Sequence, residues 1–365
     1  MQAISASDRT ATTVLSIGGL ALSILVSSLG ISIATIALPA LAREFSAPIS
    51  AVQWVILAYL LAVTVAIVTA GRLGDILGHR RLLLIGFLIF ASASLLCGLA
   101  PTLIVLIGAR AVQGVSAAVL MALPMAIARE TIPPERIGSA MGLLGTMSAI
   151  GTALGPSLGG PLIGVLGWRA AFVALAVLGL LAFAVARRYL PDPPGQRAPG
   201  RGRFDVLGTL VLALTLAAYA IAMTAGKQGF GGGNAALLAA AAIGAGLFVR
   251  VEAQAVSPLV PLAVFRDGSF TAALLMNVLV STVMMATLIV GPFFLSFGLG
   301  LGEAMVGLVM AVGPCAAALA GVPAGRITDR FGAATSLVAG LAQMALGLVL
   351  LAALPVTFGI AGYAL

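Results

Sequence analysis

A chain of 365 residues with 61% hydrophobic and only 8% charged residues does not fit a water-soluble domain, in which about a quarter of residues are charged. The net charge of +8 does not point to nucleic acid, because the basic residues cluster at the ends of apolar runs, as topology-setting charge does. Those runs are near twenty residues, the length that crosses about 30 Å of hydrocarbon as a helix, so the sequence reads as an all-α integral membrane protein with the lipid bilayer as its first partner.

In chain order, a polar N-terminus (1–13) leads into span 1, Val14–Pro39, too long for the core of a cleaved signal peptide. Span 2, Ala51–Ala70, ends in a hydrophilic turn, Gly71-Arg72-Leu73-Gly74-Asp75-Ile76-Leu77-Gly78-His79-Arg80-Arg81. Spans 3 (Leu82–Leu99) and 4 (Leu103–Ala128) follow, then a polar turn over Arg129–Arg136, span 5 (Ile137–Leu166) and span 6 (Ala170–Ala186). Residues 187–205 hold Pro191, Pro193, Pro194 and Pro199 among arginines and read as a solvated linker. Span 7 (Val206–Ala225), a glycine-rich loop over Lys227–Asn234 and span 8 (Ala235–Val251) form a pair, and 252–269 is a second connector with Pro258 and Pro261. Span 9 (Phe270–Phe297), span 10 (Glu303–Ala324), span 11 (Ala334–Leu354) and the opening of a twelfth (Val356–Leu365) complete the chain.

The turn after span 2 recurs after span 10 as Gly325-Arg326-Ile327-Thr328-Asp329-Arg330-Phe331-Gly332, 254 residues on, in the pattern G-R-[L/I]-x-D-x-x-G. Both copies follow an even span, so both face one side, as parallel repeats require. Eight spans separate them where a six-plus-six architecture puts six, which marks spans 7 and 8 as an inserted pair. Counting Lys and Arg by loop gives fifteen on the side of the N-terminus, the linker and both turns, and three on the other. That places the N-terminus and both turns in the cytoplasm. The expected organisation is therefore a six-helix bundle over 14–186, the linker, the inserted pair over 206–251, the connector and a partial second bundle over 270–365.

These residues resemble the major facilitator superfamily, and within it the fourteen-span drug:proton antiporter branch. The turn at Gly71–Arg81 is similar to the superfamily's loop between helices 2 and 3. Arg110-Ala111-Val112-Gln113-Gly114 resembles the R-x-x-Q-G signature of helix 4, and Gly151 to Gly160, with Gly155, Pro156 and Gly159, resembles the antiporter pattern G-x-x-x-G-P-x-x-G-G of helix 5. Gln53-Trp54-Val55 and Ser257-Pro258-Leu259-Val260 look like stretches of the exporter branch. The chain departs from that branch at Gly30, which stands where helix 1 usually carries an aspartate, and at Ile76 and His79, where arginine is common. The resemblance also implies two to three further spans after the last one here.

The sites follow. Asp75, close to Arg72, Arg80 and Arg81, can pair with an arginine or sit on a helix N-terminus, where the macrodipole favours negative charge. The resemblance implies the N-terminus of span 11, near Ala334-Thr335-Ser336. Gly71, Arg72, Asp75, Gly78, Arg80 and Arg81, with Gly325, Arg326, Asp329 and Gly332 of the second copy, are thus the expected conformational switch, against the plainer reading of a soluble turn. Arg110 lies about 10 Å into span 4 at 1.5 Å per residue. A charge at that depth is a functional candidate by default, the plain alternative being that it snorkels to the interface. With Gln113 it is the expected coupling group, its usual acidic partner replaced by Gly30. Gly151, Gly155, Pro156, Gly159 and Gly160 are the expected pivot of helix 5, or simply close packing. Ser32, Thr35, Trp54, Met121, Met125, Asn277, Met284 and Met285 are candidate linings of a cavity near the midplane. His79, the sole histidine, is expected at the surface of its turn, and Cys97 and Cys315 inside apolar runs are read as packing residues. No metal, phosphate-cradle or nucleophile constellation appears, so neither a cofactor nor an enzyme activity is expected.

The resemblance implies a monomeric exporter in the bacterial inner membrane that moves hydrophobic or cationic drugs against protons by alternating access. A carrier or uniporter for another small solute, and a truncated protein that does not transport, are the competing expectations.

Overall fold

The computed structural model describes residues 6–132, 136–190, 206–224, 231–255, 262–293, 295, 299–300, 309 and 312–353. The regular structure among them is helical throughout. The helices are α1 (Ala6–Glu44), the short α2 (Ile49–Val52), α3 (Trp54–Leu77), α4 (His79–Gly98), α5 (Leu103–Thr131), α6 (Ile137–Leu166), α7 (Trp168–Tyr189), α8 (Val206–Thr224), α9 (Gly232–Gln254), α10 (Gly268–Phe293), α11 (Val312–Phe331) and α12 (Ala333–Ala353). A 3-10 turn at Leu262–Arg266 precedes α10. Nine helices among the described residues are long and apolar enough to cross a bilayer. The twelfth span, at 356–365, lies outside them.

The helices run further than hydropathy predicts, because a helix keeps its backbone hydrogen bonds past the edge of the hydrocarbon. The difference matters most at the two charged turns. Neither is a loop: α3 continues through Gly71 and Asp75 to Leu77, and α11 through Gly325 and Asp329 to Phe331. Each ends on one glycine in the left-handed region, Gly78 at φ 89° and Gly332 at φ 86°, and the next helix begins at once. Glycine reaches that conformation without the Cβ penalty that other residues meet. Of the expected loop over Lys227–Asn234, residues 227–230 lie outside the described ones and the end is taken into α9 from Gly232 onward, with the Asn234 side-chain amide donating to the Ala222 carbonyl at 2.6 Å.

The chain divides into two compact units, residues 1–132 with 154–261, and 133–153 with 262–365. The division runs through α6. In the first unit α3 lies along α5, α4 packs on α5 and α7, α1 packs on α7 and α5, and the α8–α9 pair joins through α8 to α3. Tyr59, Phe87, Phe90 and Phe172 are fully buried there. Buried hydroxyls turn back onto their own helices, Ser23 to the Leu20 carbonyl at 2.6 Å and Ser27 to that of Ser23 at 2.8 Å, so these enclosed polar groups are paired. The α3–α5 seam needs one glycine: a Cβ on Gly114 would press into the Tyr59 backbone carbonyl and stand 2.8 Å from Ala62 Cβ. Gly114→Val should therefore cost about 1–3 kcal/mol by overpacking, seen as a lower thermal midpoint and folded yield in detergent. An unchanged midpoint would show that the seam can widen freely.

Candidate functional site

Residues that carry charge or close packing gather in three places. The first lies in the second unit, where the start of α6 meets the end of α11. Asp329 accepts hydrogen bonds from the Gly138 N–H (2.7 Å), the Ser139 N–H (2.9 Å) and the Ser139 hydroxyl (2.5 Å). These amides are in the first turn of α6, where N–H groups have no intrahelical acceptor and the macrodipole is positive. The Ser139 hydroxyl, then the Ser139 and Gly138 amides, hold the Asp329 carboxyl below its ordinary range, against some desolvation. Behind this cap the helices close on each other in antiparallel order. A Cβ on Gly138 would meet Asp329 and the Gly325 carbonyl, one on Gly142 would meet the Gly321 carbonyl, and one on Gly321 would meet Thr146 Oγ1. Gly138, Gly142 and Thr146 thus lie at four-residue spacing against Gly321, Gly325 and Asp329. That small-xxx-small spacing lets backbones touch, and it is legible in the sequence. Ser139, Gly138, Gly142, Thr146 and Gly321 are the functional candidates that motif reading missed.

The second place is the Arg110 network in the first unit. Arg110 lies seven residues into α5 and is fully buried, so it does not snorkel. Its Nε donates to the Val55 carbonyl at 2.9 Å, its Nη1 donates to Gln113 Oε1, and the Gln113 amide donates to Ser94 Oγ at 2.5 Å. The guanidinium stands 4.2 Å over the Tyr59 ring and 5.9 Å from that of Phe172. Stacking of this kind stabilises a desolvated cation by about 2 kcal/mol. Arg110 Nη2 has no hydrogen-bond partner among the described residues. The Tyr59 hydroxyl donates to the Ser27 carbonyl at 2.9 Å, and a Cβ on Gly30 would stand 3.5 Å from that hydroxyl and 3.2 Å from Phe90 Cζ. Gly30 and Arg110 thus flank the same tyrosine. The one buried carboxylate among the described residues, Glu252, is far along the chain at the end of α9.

The third place is the first charged turn. Arg80 donates from Nε to the Leu190 carbonyl and from Nη2 to the Arg187 carbonyl, both at 2.9 Å, capping the C-terminus of α7 with positive charge. Asp75 is 72% exposed and reaches His79 Nε2 at 3.2 Å. His79 is only 7% exposed and corrects the expectation of a surface imidazole. Gly71 and Arg72 are half-buried and Arg81 exposed; in the second copy Arg326 is exposed and Gly325 buried.

The other expected residues scatter. Gly155 and Gly159 pack against α1, where a Cβ would collide with Ser32 or lie 3.3 Å from Ile33 Cγ1. Gly151 is buried, Gly160 opens onto free space, and α6 runs unbroken through Pro156, whose side chain lies outside the described ones. Of the proposed lining, Ser32 is buried and returns its hydroxyl to the Ser28 carbonyl at 3.2 Å, Trp54 and Met121 are half-buried, and Thr35 and Met125 are exposed. In the second unit Asn277 is exposed and accepts from the Ser281 hydroxyl at 3.4 Å, Met284 is exposed, and the side chain of Met285 lies outside the described ones.

The sequence profile of the Major Facilitator Superfamily matches residues 20–365. The chain belongs to this superfamily. It is 32% identical over 322 residues to the multidrug resistance protein Stp of Mycobacterium tuberculosis, a match over 87% of this chain that spans 59% of the relative's length. It is 32% identical to the riboflavin transporter RibZ of Clostridioides difficile, over 89% of this chain and 70% of the relative. Among solved structures, the superfamily's proton:xylose symporter XylE aligns over 97% of this chain and 78% of its own with a TM-score of 0.69 at 14% identity, a likeness of fold. Against the superfamily's architecture, the arginine of α5 and the paired G-R-x-x-D-x-x-G segments are the features that the geometry bears on most directly.

The Asp329 cap is open to a coupled test. Asp329→Asn should lower the thermal midpoint, and should do so much less in a Ser139→Ala background, because the two groups share one interaction. A carboxyl held low contributes stability above its ordinary value of about 3.9, and loses that contribution as pH falls through the depressed folded value. Additive effects of the two substitutions would dissolve the cap.

Proposed function

We propose that the chain is the larger part of a secondary active exporter of hydrophobic small molecules, working by alternating access in a bacterial inner membrane with its N-terminus in the cytoplasm. The observation that carries this reading is the Asp329 cap on α6. One carboxylate, three hydrogen bonds and a bare glycine seam make a junction whose polar hold is concentrated in one residue, so it can part without a hydrophobic core having to be rebuilt. Similarity to a multidrug resistance protein supports the direction and the substrate class.

Exchange of the halves extends the reading to Asp75. Asp329 follows the second span of the second half and holds the fifth helix of the first. By the same exchange Asp75 would cap the N-terminus of the fifth helix of the second half, an alternative to the Ala334-Thr335-Ser336 site that the resemblance implies. Asp75 would make that contact in one state of the cycle and release it in another. Asp75→Asn should accordingly lower maximal transport rate by about tenfold with KM unchanged, the pattern of a lost conformational step rather than of lost binding. Equal rates in initial-velocity assays would remove the aspartate from the cycle.

Proton coupling is proposed to run through the Arg110 network. A cation that is wholly buried and stacked on Tyr59 responds to any change of charge beside it, since two unit charges 4 Å apart interact by about 4 kcal/mol at an effective dielectric constant of 20. Full-length protein in proteoliposomes should export a hydrophobic dye when a pH gradient is imposed, and Arg110→Ala should abolish the gradient-driven part. The second reading is a uniporter or a carrier of another solute. Gly30 beside Tyr59 favours it, because the acid expected to face Arg110 is replaced by a hydrogen, and one relative is a riboflavin transporter. Dye flux indifferent to the gradient would select that second reading.

A further inference from the structure

The imidazole of His79 has no part in the cycle proposed above, yet it is the most enclosed ionisable group at the arginine-rich ends of α3, α4 and α5. It opens α4 directly after Gly78, and its ring fills a notch over Gly74, where a Cβ would stand 3.1 Å from Nε2 and 2.7 Å from Leu123 Cδ2. Nε2 lies 3.2 Å from Asp75 Oδ1 on α3, and Nδ1 lies 3.2 Å from Glu130 Oε1 on α5. The second contact does not meet hydrogen-bond geometry. A neutral imidazole carries one N–H and one lone pair. With a carboxylate oxygen at each nitrogen, the neutral ring would hold a lone pair against a negative oxygen on one side. Only imidazolium presents positive charge to both. The basic side chains on the neighbouring turns are Arg72, Arg80, Arg81 and Arg129. Arg80 is engaged on the α7 carbonyls, Arg81 and Arg129 are exposed, and Arg72 is half-buried one turn before Asp75.

We propose that Asp75, His79 and Glu130 form a proton-binding site that joins the ends of α3, α4 and α5, is occupied in the conformation described, and unfastens Asp75 when its proton leaves. The proton is taken from and returned to the aqueous phase, and no covalent bond other than that N–H changes. The release of Asp75 rests on the transport cycle proposed above, while the proton site itself does not.

The test compares full-length wild type with His79→Gln, which cannot carry the charge, and His79→Arg, which cannot lose it. Imidazole changes charge between about pH 5 and 8, and His79 is the one histidine among these 365 residues. In detergent, the thermal midpoint of wild type should exceed that of His79→Gln by about 3 °C at the acid end of this range. The gap should close towards the alkaline end, because the stabilisation is present while the proton is bound and is lost as pH rises. His79→Arg should keep its advantage throughout. If His79→Gln does not fold, the double variant Asp75→Asn with Glu130→Gln supplies the same comparison, and it too should lose the pH dependence. A gap that is constant with pH, or that grows as pH rises, overturns the site. If the gap behaves as expected but transport by His79→Arg keeps the wild-type dependence on internal pH, the site stands and its control of Asp75 is overturned.

Discussion

A helix that begins at the edge of a bilayer leaves its first N–H groups without intrahelical acceptors. Inside a membrane protein such groups must be satisfied by the protein itself or by the thin layer of water at the surface. Here two of those in α6, on Gly138 and Ser139, donate to a carboxylate from α11, 191 and 190 positions along the chain. The approach of α11 depends on Gly138, Gly142, Gly321 and Gly325 being bare, since a Cβ at any of them would meet backbone or a side chain before the carboxylate could reach. Cap and seam are one device, and the order of residues at four-residue intervals builds both.

The same logic with opposite charge operates at the first copy of the repeat. Arg80 supplies cationic donors to the carbonyls that end α7, so the G-R-x-x-D-x-x-G segment and the residues after it place positive charge on a helix C-terminus and negative charge where a helix N-terminus can take it. The two glycines that end the segments, Gly78 and Gly332, fix a break of a single residue. A break that short transmits a tilt of one helix directly to the next.

The Arg110 network stands apart because it trades in burial rather than in helix ends. A charge so placed costs several kcal/mol in the membrane unless it is paired and stacked. Val55, Gln113, Ser94 and Tyr59 share that compensation with no acid among them. The departure at Gly30 is therefore not a void: Tyr59 and Phe90 line the place where the side chain would be. Among the described residues of the first unit, Arg110 is held by carbonyl, amide and aromatic groups and by no carboxylate.

Hydropathy and the positions of arginine determined the helical class and the order of the apolar spans, because lipid imposes length and charge rules that act on each segment by itself. The depth of Arg110 was legible for the same reason. What the sequence could not determine was which partner each charged residue chooses. Asp75 and Asp329 stand in the same motif, yet one reaches a histidine four residues on and the other a helix 190 residues away. His79 read as a surface residue because its neighbours in sequence are charged, and it is buried because Gly74 and Leu123 make room for its ring. Such choices depend on how closely helices approach, a property of pairs of surfaces in space, and only the tertiary structure decided them.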